Sequence, residues 1–398
     1  MRKLSFIMLA LLLAACTGLR VEDVYGPTLH TLEVHLSLPE EYAGLSLGGI
    51  TVKVTDINME ASYTGESASD GVLVFRLPEG LYRLTTSAKI GELHFNAAKG
   101  GIILSGSDRT ETLNLKAPRF GDIVIKELYN GGCKKLPAEG NFQSDKYFIL
   151  HNNSAHTVYL DSLCFGTLSP YNSTGTNVWG EGLEFVPIIQ CVWQFPGDGA
   201  SFPLASGADA VVVVNGAVDH TKEFPLSVNL NNEEYFVCYN STYFTNTIYH
   251  PAPGDLIRKD HILNVVIKTG QANAYPLSVS SPTLVLFRTE GMSIQALITK
   301  EGTVIQEPGN SVDKVVCVPE EWVEDGMEVF DGRSSLNNKR LGPMIDAGYV
   351  YQSDTYTGHS LMRRVDTEKS AAAGYEILVD TNNSTNDFYE TEKQSLHD

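Results

Sequence analysis

Residues 31 to 38, TLEVHLSL, alternate without a break, with Leu32, Val34, Leu36 and Leu38 on one face and Thr31, Glu33, His35 and Ser37 on the other. A period of two with one apolar face is the pattern of a half-buried β-strand. Ile50, Val52 and Val54 repeat it, Val72 to Phe75 and Leu81 to Leu84 follow on either side of Pro78-Glu79-Gly80, and Leu113 and Leu115 close the series. Short strands at this spacing, separated by polar and Gly-rich turns, predict a small sandwich over residues 30–117. Beyond Ala117-Pro118, which reads as a linker, the pattern changes character. Two segments, 168–199 and 228–282, are rich in Tyr, Asn, Gly and Pro, the composition of long binding loops on a rigid scaffold. The fold class predicted is all-β, with two β-sandwich domains in tandem.

The chain opens differently. Arg2 and Lys3 precede a nearly unbroken apolar run from Leu4 to Leu13. At about 1.5 Å per residue the run is too short for a permanent membrane helix, so residues 1–15 are expected to be a secretory signal. Its end, Leu13-Ala14-Ala15-Cys16, resembles the bacterial lipobox, which implies cleavage after Ala15 and a lipid on Cys16. Residues 16–29, broken by Gly18, Gly26 and Pro27, then read as a lipidated tether. Glu22-Asp23 resembles the acidic export signal of Bacteroidota surface lipoproteins, which implies outward display. No second apolar stretch approaches the roughly 20 residues of a span, so the expected location is the outer membrane, anchored by lipid and exposed at the cell surface.

Composition narrows the partners. With 398 residues, of which 42% are hydrophobic and 19% charged, the chain has an ordinary globular balance and room for two or three domains. Its formal net charge is -19, and loss of Arg2 and Lys3 with the signal takes it to about -21. An acidic chain lacks the cations that neutralise phosphates, so nucleic acid is excluded as a partner. After Cys16 five cysteines remain, Cys133, Cys164, Cys191, Cys238 and Cys317, with no CxxC. An odd number leaves at least one thiol free; the rest are read as small buried hydrophobes, with a pair within Cys164, Cys191 and Cys238 open to oxidation.

Three family resemblances follow from particular residues. ASDGVLVFRLPEGLYRL (68 to 84) resembles the carboxypeptidase-regulatory and transthyretin-like modules of extracellular proteins. Ile125, Glu127, Tyr129 and Gly131, followed by Asp145, Tyr147, Asn152, Ser154 and Leu160, are similar to the two opening strands of the lamin-tail domain. Ala210 to Val214 and the trio Trp322, Asp325 and Glu328 are similar to its later segments. This likeness implies an elaborated immunoglobulin-like sandwich over 118–390, with insertions, before a flexible tail at 391–398. Arg340 to Gly348, Gly358 to Arg364 and Asp380 to Phe388 resemble the ending of a Bacteroidota-type lipoprotein family of unknown function. That resemblance implies a neighbouring TonB-dependent receptor as partner.

Motifs for chemistry are scarce. Gly44-Leu45-Ser46-Leu47-Gly48 fits the letters of a nucleophile elbow, but a β-branched strand rather than a helix follows it, so a loop is expected. Asp380 to Asp387 places oxygen side chains at alternate positions like a calcium loop, yet Thr385 stands where glycine is required; turns are the expectation. His151 and His156 are five apart and would converge only around a turn. Asp161-Ser162-Leu163 resembles the short O-glycosylation signal of Bacteroidota. The segment 228–275 carries Tyr235, Tyr239, Tyr243, Phe244 and Tyr249 among asparagines, and aromatic faces with amide neighbours grip sugars, planar ligands or protein surfaces. These five are the candidate ligand-binding residues, with strand packing as the competing role. No catalytic residue, metal site or cofactor is expected. The function expected is a non-enzymatic binding or scaffold lipoprotein, with an unknown small molecule, glycan or protein as ligand. A surface hydrolase using Asp325, Glu328 and Asp346, or an adhesion module, are the alternatives.

Overall fold

In the computed structural model, residues 28–59, 61–91, 93–179 and 183–397 are described. The signal, the lipobox with Cys16 and nearly all of the tether lie outside them. Strands make up 39% of the chain and helix 8%, which makes it an all-β protein built from several sheets.

The first seven strands are β1 (Leu29–Ser37), β2 (Thr51–Asp56), β3 (Ser62–Glu66), β4 (Val72–Pro78), β5 (Gly80–Ile90), β6 (Leu93–Leu104) and β7 (Arg109–Asn114). They form two sheets, β4-β1-β7 and β3-β2-β5-β6. In the first, β1 runs antiparallel to β4, placing Leu32 opposite Phe75, and parallel to β7, placing Leu36 opposite Leu113. The alternating apolar faces of the two sheets meet in one core that includes Val34, Val52, Val54, Tyr82, Leu84, Phe95 and Ile102. Each such side chain removed from water contributes about 1.5–3 kcal/mol, which is why the faces cannot slip by one residue. The GLSLG segment lies in the loop between β1 and β2, and a strand follows it.

The second region begins with β8 (Ile123–Tyr129), β9 (Cys133–Lys134), β10 (Asn141–Phe142), β11 (Tyr147–Asn152), β12 (Val158–Tyr159), β13 (Cys164–Leu168) and β14 (Phe185–Gln194). It continues with β15 (Pro203–Leu204), β16 (Asp209–Val213), β17 (Phe236–Val237), β18 (Asn264–Lys268) and β19 (Thr283–Phe287), then the short helix α1 (Ile294–Thr299). Next come β20 (Val304–Gln306), β21 (Lys314–Pro319), β22 (Val323–Asp331), β23 (Val350–Gln352), β24 (Leu361–Arg363), helices α2 (Thr367–Ala373) and α3 (Ser384–Asp387), and β25 (Phe388–Glu390). One large sheet has the order β17-β16-β11-β8-β24-β25, and the other runs β20-β21-β14-β13-β19-β22-β23 with β18 also on β14. Phe148 and Leu150 of the first sheet pack in one core with Phe165, Trp193, Leu286 and Val329 of the second. Smaller cores cover the outer faces, one against Ile294 and Leu297 of α1 and the other around Tyr129 and Tyr147. Strands β11, β13 and β19 are therefore buried at every position, and their sequences, YFILHN, CFGTL and TLVLF, do not alternate between apolar and polar residues.

Two expectations are corrected here. The segment 168–199 is not loop throughout, because Phe185–Gln194 is an interior strand. Residues 185–189 of β14 pair with β21 and residues 191–194 with β18, and the ladder changes partner at Gln190, whose φ is 72°. The segment 228–282 likewise contributes β17 and β18. Of the tail at 391–398, the described residues, 391–397, dock instead of fraying. Ser395 donates from its backbone N–H to Glu127 Oε1 (3.0 Å) and from its hydroxyl to Oε2 of the same carboxylate, and Gln394 donates to the Leu226 carbonyl at 3.2 Å. Glu127 is fully buried, and the tail adds two donors to the Tyr147 hydroxyl that already reaches its Oε1 at 3.1 Å.

The two regions touch through polar contacts. Asn96 Nδ2 donates to the carbonyls of Thr381 (3.4 Å) and Asn382 (3.3 Å), and Asn382 Nδ2 donates to the Arg119 carbonyl at 3.0 Å.

Candidate functional site

A groove of about 360 Å³ opens beside the β17 edge of the six-stranded sheet. Its walls come from the chain around 201–204, the start of β16, residues 234–236 and the turn at 258–261. The first wall is built by Asp161, which lies in the turn after β12. Its carboxylate accepts the backbone N–H groups of Gly199 (3.0 Å), Ser201 (2.8 Å) and Phe202 (2.8 Å). Burial raises the Asp161 pKa, but these three donors outweigh it and hold the carboxyl below its ordinary value. Gly197 permits the approach: its φ is 109° and a Cβ there would stand 2.0 Å from Asp161 Oδ1. Asp161 thus has a structural task, and Ser162 beside it adopts a φ of 62°.

Phe202, fixed in this way, meets Phe236 edge to face at 5.3 Å and 80° and His261 at 5.5 Å and 76°. His261 stacks flat on Phe236 at 4.4 Å and 9°. The imidazole is buried, and burial first, with the Arg258 charge second, keeps its pKa below the ordinary value, so the ring is neutral at pH 7. The Tyr235 backbone partners the ring, while Nδ1 is buried with no hydrogen-bond partner. Around the rim the charges are mostly paired. Asp209 accepts from His151 Nδ1 and Lys126 Nζ, both at 2.6 Å. Arg258 chelates Asp260 through Nε (3.1 Å) and Nη2 (2.7 Å). The exposed Glu234 carries a carboxylate close enough to act on Arg258. An aromatic wall with donors and acceptors on one rim suits reversible binding of a polar ligand with an apolar face.

A second groove, of about 390 Å³, lies in the first region between Ser46–Thr51 and Ser87–Gly91, where only Lys89 is charged and no aromatic side chain contributes.

Residues 205–395, which include most of the first groove, match the model of a family described as "Protein of unknown function (DUF4876)". This segment carries the DUF4876 family match. The fold is similar to the crystal structure of a DUF4876 family protein from Bacteroides thetaiotaomicron, with 23% identity, a TM-score of 0.58, and coverage of 90% of this chain and 94% of that one. A DUF3823 family protein from Parabacteroides merdae aligns over 36% of this chain and 67% of that chain, with 15% identity and a TM-score of 0.19. No curated protein matches the chain.

Within the DUF4876 segment the five aromatic candidates separate. Tyr235 lines the groove. Tyr239 stacks on His250 at 5.2 Å and 19°, away from it. Phe244 is corrected from ligand-binding residue to core: it is 1% exposed and stacks on Trp193 at 5.7 Å, because burying its ring completes the packing between the sheets. Tyr243 and Tyr249 are 48% and 44% exposed and do not line the groove. Phe202, Arg258 and His261 were not foreseen, since they come from segments more than 50 residues apart whose meeting no local pattern announces.

The acidic trio considered for hydrolysis is buried in internal pairs. Arg363 Nη2 holds Asp325 at 2.8 and 2.6 Å and is also within ion-pair reach of Asp380 and Asp387 through Nη1. Glu328 pairs with Arg340 at 2.7 Å, and Asp346 accepts from Ser384, from the Glu328 N–H (2.8 Å) and from the Gly348 N–H (2.9 Å). Burial raises the pKa values of Asp325 and Asp346, whereas Arg340 and Lys339 overcome burial at Glu328 and lower it. None of the three lines either groove. Asp380 to Asn383 bends as expected, but Ser384–Asp387 forms the short helix α3 instead of a turn, with Asn383 capping it through the Thr385 N–H. His151 is buried against Asp209 while His156 is exposed and faces Asp122 at 3.3 Å, so the two do not converge on one ligand set. All five described cysteines are free, and burial raises their thiol pKa values, to about 12 at Cys164 and about 11 at Cys317.

Proposed function

We propose that this protein is a lipid-anchored, non-enzymatic binding component of the bacterial outer membrane, accessory to a TonB-dependent uptake system, with its second region an elaborated lamin-tail-like sandwich. The observation that supports binding is the groove of Phe202, Phe236 and His261 with its mixed polar rim. The lipobox at Leu13 to Cys16 supports the anchor, and the resemblance to lipoproteins found beside TonB-dependent receptors supports the partner. The experiment joins both. Full-length protein and Cys16→Ala are expressed in a Bacteroides host, fractionated, and affinity-purified from detergent-solubilised outer membranes. The native chain is expected in the membrane fraction with a TonB-dependent receptor, and Cys16→Ala in the soluble fraction without one. Equal membrane association of both forms, or purification of the native chain free of any receptor, would overturn the reading.

A further inference from the structure

The groove beside β17 has a ligand class written into its chemistry. Its rim offers acceptors at Glu234 and Asp260, a donor at Arg258, and a floor of Phe202, Phe236 and His261, while the Ser201 hydroxyl donates to Asp198 at 2.9 Å. Two of its three carboxylates are compensated, Asp209 by Lys126 and His151 and Asp260 by Arg258. The Glu234 carboxylate lacks a hydrogen-bonded partner among the described residues, and Lys126 is shared between Asp209 and Glu376, so the rim carries a small excess of negative charge. An anionic ligand would meet that carboxylate, and a polycation would meet Arg258. A ligand whose hydroxyls both donate and accept, and whose C–H face packs on an aromatic ring, meets neither obstacle. His261, in the groove wall, has a buried Nδ1 without a hydrogen-bond partner, so its ring contributes a flat face to the groove rather than a polar contact. The volume of about 360 Å³ is at the low end of the roughly 300–1,000 Å³ of small-ligand sites.

We propose that this groove binds a neutral saccharide, with a pyranose face against Phe202 and Tyr235 and hydroxyls shared among Glu234, Arg258 and Asp260. The proposal rests on the binding reading above and specifies its ligand class. It is tested by titration calorimetry of the full-length protein with cellohexaose, maltohexaose, xylohexaose and mannohexaose, and with hexagalacturonate and hexalysine as charged controls. At least one neutral oligosaccharide is expected to bind, with Phe202→Ala and Glu234→Gln each weakening it about tenfold. Glu234→Gln changes only an exposed rim side chain, so it carries the test if Phe202→Ala does not fold. Silence from all four neutral oligosaccharides, affinity unchanged in both variants, or preference for either charged control would overturn the proposal. If receptor co-purification persists while every sugar is silent, the ligand class fails and the binding role stands. If a sugar binds while receptor co-purification is lost, the saccharide site stands and the receptor partnership fails.

Discussion

His250 accepts a hydrogen bond from the Asn240 backbone N–H through Nε2 at 3.1 Å, a role available only to the neutral ring. It is buried between Tyr239 and Phe244, and burial pushes its pKa down to about 4. The folded-state value lies below the unfolded one, so as pH falls the unfolded chain takes up the proton first. The stabilisation is full above about pH 6.5 and is lost toward pH 4. Wild type should therefore lose about 2 kcal/mol from this group between pH 7.5 and pH 5, and His250→Gln, which keeps an acceptor and cannot titrate, should not. Asp387, raised to about 6 by burial, works in the opposite sense, so the diagnostic is the difference between the two urea-denaturation pH profiles. Parallel profiles would refute the assignment. None of this was legible in the sequence, where His250 is one scattered histidine among ten, because a pKa belongs to an environment and not to a residue type.

At the scale of elements, legibility followed burial. Strands with one wet face, β1, β2, β4 and β5, show the alternation that predicts them. Two of their neighbours do not. The edge strand β3 (SYTGE) has no fully buried residue, and β6 (LHFNAAKGGIIL) carries small residues and a Gly100-Gly101 break in mid-strand. The ladder to β5 creates β6, with Ile90 opposite Leu93 and Ala88 opposite Phe95. In β14 the obstacle is different: the Tyr, Asn and Gly on either side conceal the apolar FVPIIQCVW of an interior strand. That placement predicts a cost of about 3 kcal/mol for Ile188→Ala, since the side chain is fully buried and packs with Val285, Phe287 and Val316. A loop residue would cost less than about 0.5 kcal/mol, and chemical denaturation separates these outcomes.

For the whole molecule, separate cores joined through Asn96, Asn382 and Arg119 imply loosely coupled unfolding. Calorimetry should resolve two transitions, the smaller from residues 28–117, and Asn96→Ala should lower that one by the loss of roughly 1 kcal/mol. One transition with equal calorimetric and van't Hoff enthalpies would contradict this. What the sequence determined by itself was local: an all-β chain, the strands that keep one face in water, the loop at 44–48, and an acidic surface. These follow from side-chain period and backbone preference, which act over a few residues. Only the tertiary structure decided that Phe244 is core while Tyr235 lines a groove, that Asp325, Glu328 and Asp346 are spent on buried Arg363, Arg340 and Ser384, and that the last residues close over Glu127. Those outcomes depend on which distant segments share a space from which water is excluded, and no pattern of neighbours along the chain records that.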